Sequence, residues 1–412
     1  MRPAARRAGG ARPTVLVNLL WMVPGVVGGS EDSVTAALRA LDGRAADELD
    51  VQLAVLGSFA AAHPDLADRR VVHVAPIDGS SKVRRVWEEQ TWLARLAGRV
   101  AADVVHHAGG TVPLLHPGRV VLTLHDLQPL DMPQNFSWAK RSYLRAMIGR
   151  SARAASVVHV PSRFTGDRAV ELLDVDPARI AVIPPGVDTE QMCPRPAEEA
   201  LAGLLAECAA DVTGDERMPD PGNAERIRAF FAEAGHPRVV YVGKISEEKG
   251  VPLLVDSLAY PGIVVGFGPA RAALEVRSEA LFTGPLQHRH LRYLWPLMDV
   301  SVVPSVFPEA FGMVAAEAAA CGCPPLVADH SGLAEIAAGV RSYYPPRLAH
   351  LASFPRGDAA ALAERLREYA GLSDQDRRVL SAGARVAAEE LWSWDSVAER
   401  LLALATPPAG SA

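Results

Sequence analysis

Short runs of wholly apolar residues, separated by segments with a helical repeat, recur along nearly the entire 412-residue chain. Residues 15–20, 51–56, 70–75, 103–106, 120–124, 157–161 and 180–183 read as strands, and segments such as 31–41, 83–101 and 139–155 show the 3.6-residue period between them. Runs that are apolar throughout, instead of alternating, suit strands covered on both faces. Repeated strand–helix–strand units imply right-handed crossovers and a parallel, doubly wound α/β sheet. The pattern stops at Pro184-Pro185-Gly186 and resumes at residues 239–242, followed by 263–266, 280–283, 300–304 and 325–328. The length is too great for one ordinary core, and two Rossmann-like halves are expected.

These signals divide the chain into a basic tail over 1–13, a first domain over 14–186, a second over 237–390, and a helical end over 391–412. The stretch 187–236 is longer than a usual connection. It holds Pro194, Pro196, Pro219 and Pro221 and two helix-like pieces near 198–210 and 224–234, and reads as a linker plus a surface insertion. Arg2, Arg6, Arg7 and Arg12 before an apolar run imitate a secretory signal, but Asn18 and Pro24 interrupt that run and no small-residue cleavage box follows. No stretch approaches the ~20 apolar residues of a membrane span. A soluble, cytoplasmic protein is the expectation.

A net charge of −6 argues against a dedicated nucleic-acid binder, whose footprint would be basic. The four cysteines form no CxxC pair, so structural zinc and a disulfide framework are not expected. One local departure is the segment 139–155, where Lys140, Arg141, Arg145, Arg150 and Arg153 face no acidic residue and Tyr143, Leu144, Met147 and Ile148 supply an apolar stripe. A core-packed helix with a solvated face is the simpler account, and peripheral contact with an anionic membrane is the alternative.

Chemistry concentrates in the second half. Pro308-Glu309-Ala310-Phe311-Gly312-Met313-Val314 follows the strand at 300–304 and opens a helix that contains Glu317. Unpaired N–H groups at such a helix start, with its dipole, suit phosphate or sugar oxygens, and Gly312 permits close approach. Glu309 can accept hydrogen bonds from hydroxyls, and Glu317, two turns on, can hold a diol. Gly243-Lys244 and Lys249 lie in another strand-to-helix turn, while Gly28-Gly29 lies in the first one. Leu124-His125-Asp126 ends a strand, where open α/β sheets bind ligands. Gly266-Phe267-Gly268 is followed by Arg271 where a third glycine would stand, so a dinucleotide fingerprint is not supported.

Taken together, the string PEAFGMVAAEAAACGCPPL and the three other segments resemble the retaining family 4 glycosyltransferases, which have the GT-B fold. The resemblance runs from about residue 14 to 402 and is weakest over 193–236. It implies two domains facing across a cleft, with a C-terminal helix returning to the first. It implies that Glu309 meets the transferred sugar, that the amides of Phe311, Gly312, Met313 and Val314 hold sugar and diphosphate, and that Glu317 meets the nucleotide ribose. His125 would lie near the reacting sugar and acceptor, Gly28, Gly29 and Gly243 would line the donor loops, and Lys244 and Lys249 would face the diphosphate. The family usually has arginine where Lys244 stands, so a point charge replaces a planar fork there. The implied reaction moves a sugar from a nucleotide-diphosphate donor to a glycan, glycolipid or small-molecule acceptor with retention of configuration, without metal or other cofactor. A phosphorylase of the same fold and a non-catalytic nucleotide-sugar-binding protein are the alternatives.

Overall fold

The computed structural model describes residues 12–26, 29–45, 48–114, 116, 118–131, 138–214, 217–233 and 237–406. It divides into two compact units: the first takes the chain as far as Gly186 and again from Trp394, and the second is Val187–Ser393. In the first unit β1 (Thr14–Asn18), β2 (Asp50–Val55), β3 (Val71–Val74), β4 (Val104–His107), β5 (Arg119–Thr123), β6 (Val157–Val160) and β7 (Ile180–Val182) form one sheet ordered β3-β2-β1-β4-β5-β6-β7. Every pairing in it is parallel. β1 shows why these strands are apolar throughout: Val15, Val17 and Leu19 enter one core, while Leu16 and Leu20 enter the core on the opposite face.

Strand order reverses between β1 and β4, whose last residues, Asn18 and His107, are register partners. Both are buried and polar. The Leu20 N–H donates to Asn18 Oδ1 at 3.1 Å, which fixes the amide. Its Nδ2 then faces His107 Nδ1 at 3.2 Å and Glu89 Oε1 at 3.4 Å. Burial pushes the Glu89 carboxyl up to about 7.

A second polar chain crosses the ends of β4, β5 and β6. His159 Nε2–H donates to the Ile183 carbonyl at 3.0 Å, which leaves Nδ1 to accept from Thr123 Oγ1 at 3.0 Å. Thr123 then accepts from His106 Nε2–H at 2.7 Å. An accepting Nδ1 makes the His159 imidazole neutral, whereas His106 can donate from Nε2 in either protonation state. Enclosure pushes in the same direction, lowering His106 and His107 to about 3 and His159 to about 4. His106 and His159 each keep an accessible edge, and for His159 the accepting Nδ1 holds the ring neutral independently of burial.

The helix Trp394–Ala405 closes this unit by packing on Gly29–Ala45, and its Leu402 joins the core that holds Leu38. The backbone of Gly186, where the chain leaves the unit, lies against the indole of Trp394, where it re-enters. Among the described residues no helix is long and apolar enough to cross a membrane. In the basic helix Trp138–Ala154, Arg150 donates to the Val112 carbonyl and Arg153 to that of Leu173. Arg145 is exposed, whereas the side chains of Lys140, Arg141 and Tyr143 lie outside the described residues.

The second unit repeats the plan. β8 (Val239–Val242), β9 (Ile263–Val265), β10 (Leu281–Phe282), β11 (Val300–Val303), β12 (Pro325–Ala328) and β13 (Ser353–Phe354) form a parallel sheet ordered β10-β9-β8-β11-β12-β13. Residues 187–236, read above as linker and insertion, belong to this unit. Their helices Ala197–Ala209 and Asn223–Ala232 send Ala200, Leu204, Cys208, Ile227 and Phe230 into its core. Cys208, Asp211 and His290 gather ligand-type atoms within 4.8 Å of one another. The Gln287 N–H donates to His290 Nδ1 at 3.1 Å, so the imidazole proton sits on Nε2 and points at Asp211 Oδ1, 2.9 Å away. That arrangement is a hydrogen-bonded tie between the turn that follows helix Ala197–Ala209 and the helix His288–Leu294.

Candidate active site

Two groups of residues singled out from the sequence occur, one in each unit. In the second unit the sheet order reverses between β8 and β11, and the loops after these strands are stitched together. The Glu248 carbonyl accepts from the N–H groups of Val306 and Phe307 at 3.0 and 2.9 Å. This brings Lys249 to Glu309, whose Oε1 lies 2.5 Å from Lys249 Nζ. The same ammonium lies 5.5 Å from the centre of the Phe307 ring. Both partners keep some solvent access, so the pair is a partly screened contact and not a buried lock.

Glu309 is also held through its backbone. Its N–H donates to Ser331 Oγ at 3.0 Å, and its carbonyl accepts from the Gly332 N–H at 2.9 Å. Gly332 is needed for this approach, because a Cβ there would stand 2.5 Å from the Ala310 carbonyl oxygen. His330 Nε2–H donates to the Ser305 carbonyl at 2.6 Å and ties the same two loops once more, and burial keeps this imidazole below its usual range.

The helix Met313–Ala320 begins at Gly312, whose φ of 126° and contact with Leu333 exclude a side chain. Alanines at 315, 316, 318, 319 and 320 are fully buried, which lets the helix sit close against its neighbours. Phe311 anchors its start by an edge-to-face contact with Trp392, centroids 6.1 Å apart. The first amides, those of Met313 and Val314, precede the internal bonds that Ala315 and Ala316 make to the Gly312 carbonyl. Glu317 is nearly buried, with Oε1 3.2 Å from His288 Nε2. Gly243 leaves β8 with φ 151°, and the exposed Lys244 follows it. The Lys244 carbonyl accepts from the Tyr241 hydroxyl at 2.8 Å. Burial, with Glu309 nearby, raises that phenol far above its ordinary value.

In the first unit His125 follows β5. Its Nε2–H donates to the Ala108 carbonyl at 2.9 Å, leaving Nδ1 as the acceptor nitrogen, and burial lowers its basicity. Its ring lies 6.0 Å from that of Trp21. Asp126 does not pair with it; the Asp126 carboxylate accepts from the Gln128 N–H at 3.0 Å. Gly29 opens the helix Gly29–Ala45, and Gly28 lies outside the described residues. The turn before them is held by Glu31, which accepts from the Gly25 N–H at 2.8 Å.

The structure thus brings Lys249 to Glu309, 60 positions later and three residues before the helix start at Gly312. Sequence reasoning missed the roles of Ser331, His330 and His288. A serine beside a glycine offers no sign of its backbone conformation, and His288 lies 29 positions from Glu317.

Two Rossmann-like sheets in succession, with a built helix start after the fourth strand of the second, are the elements of the GT-B fold. The solved structure of HepE from Anabaena in complex with UDP aligns over 95% of this chain and 99% of its own, with a TM-score of 0.64 at 17% identity, and shows that fold. Residues 27–191 match the family model described as Glycosyltransferase Family 4, and residues 236–371 match that described as Glycosyl transferases group 1. The chain belongs to the family 4 glycosyltransferases. It is similar to a D-inositol 3-phosphate glycosyltransferase of Salinispora tropica, 28% identical over 59% of this chain and 49% of that protein. It is also similar to a 2-deoxystreptamine N-acetyl-D-glucosaminyltransferase of Streptomyces fradiae, 28% identical over 71% of this chain and 70% of that protein. The chain therefore spans about half the length of the first relative. Both relatives are named as glycosyltransferases, which sets aside the phosphorylase alternative.

Proposed function

We propose that the protein transfers a glycosyl group from a nucleoside-diphosphate sugar to a hydroxyl of a small ring polyol, with retention of configuration and without a required metal. The observation that carries the reading is the Lys249–Glu309 pair, held where the loops after β8 and β11 meet and close in sequence to the open amides of Met313 and Val314. The donor diphosphate takes these amides, Lys244 and Lys249. Glu309 accepts from hydroxyls of the transferred sugar, and Glu317 accepts from the ribose diol. His125 Nδ1 is assigned to an acceptor hydroxyl. As the sugar–phosphate C–O bond breaks, the acceptor oxygen forms its bond on the same face, and its proton passes to the leaving phosphate oxygen. Cations and helix amides are useful here because negative charge grows on the departing diphosphate, so they bind the transition state better than the ground state. The ring-polyol acceptor is taken from the names of the two relatives, an inositol phosphate and an aminocyclitol.

The test is the anomer of the product by NMR, with turnover compared in the presence and absence of EDTA. Retained configuration and chelator-insensitive turnover are expected. An inverted product, or activity that is lost to chelator and restored by a divalent ion, would overturn the mechanism.

Glu317→Ala isolates the nucleotide end. Loss of a charge-assisted hydrogen bond to the ribose should weaken nucleoside diphosphate affinity by about 1.5–3 kcal/mol, roughly 10- to 150-fold. Isothermal titration checks this, and an unchanged affinity would remove Glu317 from the nucleotide site.

A further inference from the structure

Ser331 is the exception among residues in left-handed backbone in this part of the molecule. Its φ is +51°, a region that side chains other than those of glycine and asparagine enter at a cost. The neighbouring position, Gly332, is a glycine for the different reason of close approach to Ala310. What the strained serine gains is a hydrogen bond: Oγ accepts the Glu309 N–H at 3.0 Å, while the next amide, that of Gly332, donates to the Glu309 carbonyl at 2.9 Å. Residues 331 and 332 therefore grip both sides of the peptide units that flank the Glu309 Cα. A glycine at 331 would adopt this backbone without strain but could not make the first bond.

We propose that Ser331 is a positioning residue for Glu309: its hydroxyl fixes the backbone from which the carboxylate is presented to the transferred sugar. This rests on the assignment of Glu309 to the sugar made above. Lys249 alone does not supply that precision. Its side chain is long and partly solvated, and its charge is also wanted by the diphosphate. When a donor draws the ammonium toward phosphate, the grip of residues 331 and 332 is what keeps Glu309 in place. Ser331 touches no reacting atom in this account. Its effect should therefore appear wherever the sugar is sensed and be absent where only the nucleotide is sensed.

Ser331→Gly is the informative variant, because it removes the hydroxyl while keeping, and easing, the backbone. Four measurements are made on it, on Glu309→Gln and on the double variant. They are the thermal midpoint, hydrogen exchange of the peptide that contains the Glu309 amide, affinity for UDP, GDP, ADP and TDP with their glucose conjugates, and turnover. In Ser331→Gly we expect a midpoint close to wild type and faster exchange at Glu309. Affinity for the nucleoside diphosphate that binds should be unchanged, whereas affinity for its glucose conjugate and turnover should each fall about fivefold, the effect of one lost hydrogen bond. In the Glu309→Gln background the further loss should shrink, since both changes act through one side chain.

Wild-type turnover in Ser331→Gly would overturn the proposal. So would equal losses of diphosphate and sugar-nucleotide affinity with a lowered midpoint, which would mark Ser331 as merely structural. A different failure is also recognisable. If exchange at Glu309 quickens but Glu309→Gln itself leaves sugar affinity and turnover intact, the hydrogen bond is real and the assignment of Glu309 is wrong, and the positioning role falls with it. If none of the diphosphates or conjugates binds, the donor class itself is wrong and Ser331 positions nothing for it.

Discussion

Glu309→Ala should cut transfer by ~10²–10³-fold while leaving nucleoside diphosphate affinity equal to wild type or tighter. The structure gives the second half of this expectation its sign. The Lys249 ammonium is engaged by Glu309 at 2.5 Å, so a diphosphate must compete with that carboxylate for the cation. Removing the carboxylate removes the competitor. The pair is partly solvated, which keeps the gain small, within the ~0–1 kcal/mol typical of such contacts. The loss on the sugar side is much larger. A charged acceptor aimed at hydroxyls near the reacting carbon should cost ~10²–10³-fold in turnover when deleted, by analogy with other preorganised groups. Turnover and calorimetric nucleotide affinity, measured on the same preparation, decide the matter. Affinity and turnover that fall together would show that Glu309 holds the nucleotide, and the division of labour with Glu317 would collapse.

Mild acid should unfold the first unit before the second. His106, His107 and His159 are held neutral in the folded state, at about 3, 3 and 4, against 6.5 for a free imidazole. A group whose folded value is depressed contributes stability that is complete above its unfolded value and is lost as pH falls. The window here opens near 6.5 and extends down towards 3–4. At about pH 5 a single such histidine forfeits up to ~2 kcal/mol, a large share of the ~5–15 kcal/mol that holds a domain folded. Glu89 does not add to this loss. Its carboxyl is raised to about 7, so it is already protonated in the folded protein as the medium becomes acidic. Limited proteolysis at about pH 7.5 and pH 5, with cut sites assigned by mass spectrometry, should open peptides from β4–β6 while Val187–Ser393 stays resistant. Thr123→Val, which breaks the directional chain at its centre, should shift the onset to higher pH. Simultaneous opening of both units, or indifference to pH across this range, would contradict the reading.

The strands were legible because burial on both faces leaves an unmistakable run: residues 15–20 and 239–242 meet β1 and β8 almost end to end. β13, Ser353–Phe354, was not, since two residues cannot display a pattern. The short helices Gly57–Ala62 and Pro64–Arg69 escaped for the same reason. Over 197–209 the spacing of Ala200, Leu204 and Cys208 announced a helix, but the core it joins is built from residues far along the chain, which local periodicity does not name. The site divides in a similar way. Gly312 and the glutamates on either side of it stand in one contiguous string, so their proximity could be read directly. The Glu248 carbonyl that draws Val306 and Phe307 toward Lys249 is a backbone group, and any residue at 248 would supply it. Nothing local marks Ser331, whose left-handed backbone accompanies two bonds that it and Gly332 make to Glu309, 22 positions before Ser331.

The closing helix Trp394–Ala405 gives the protein an unusual order of assembly on the ribosome. The second unit is continuous and has all its parts once Ser393 has emerged, whereas the first, though made earlier, still lacks the segment that covers its helix Gly29–Ala45. At ~5–20 residues per second, synthesis of Val187–Ser393 takes roughly 10–40 s. Throughout that interval the seven-stranded sheet waits with the surface that will receive Leu402 uncovered. The half synthesised first is thus the half completed last, and the nascent chain carries that uncovered apolar surface for as long as the second unit is being made.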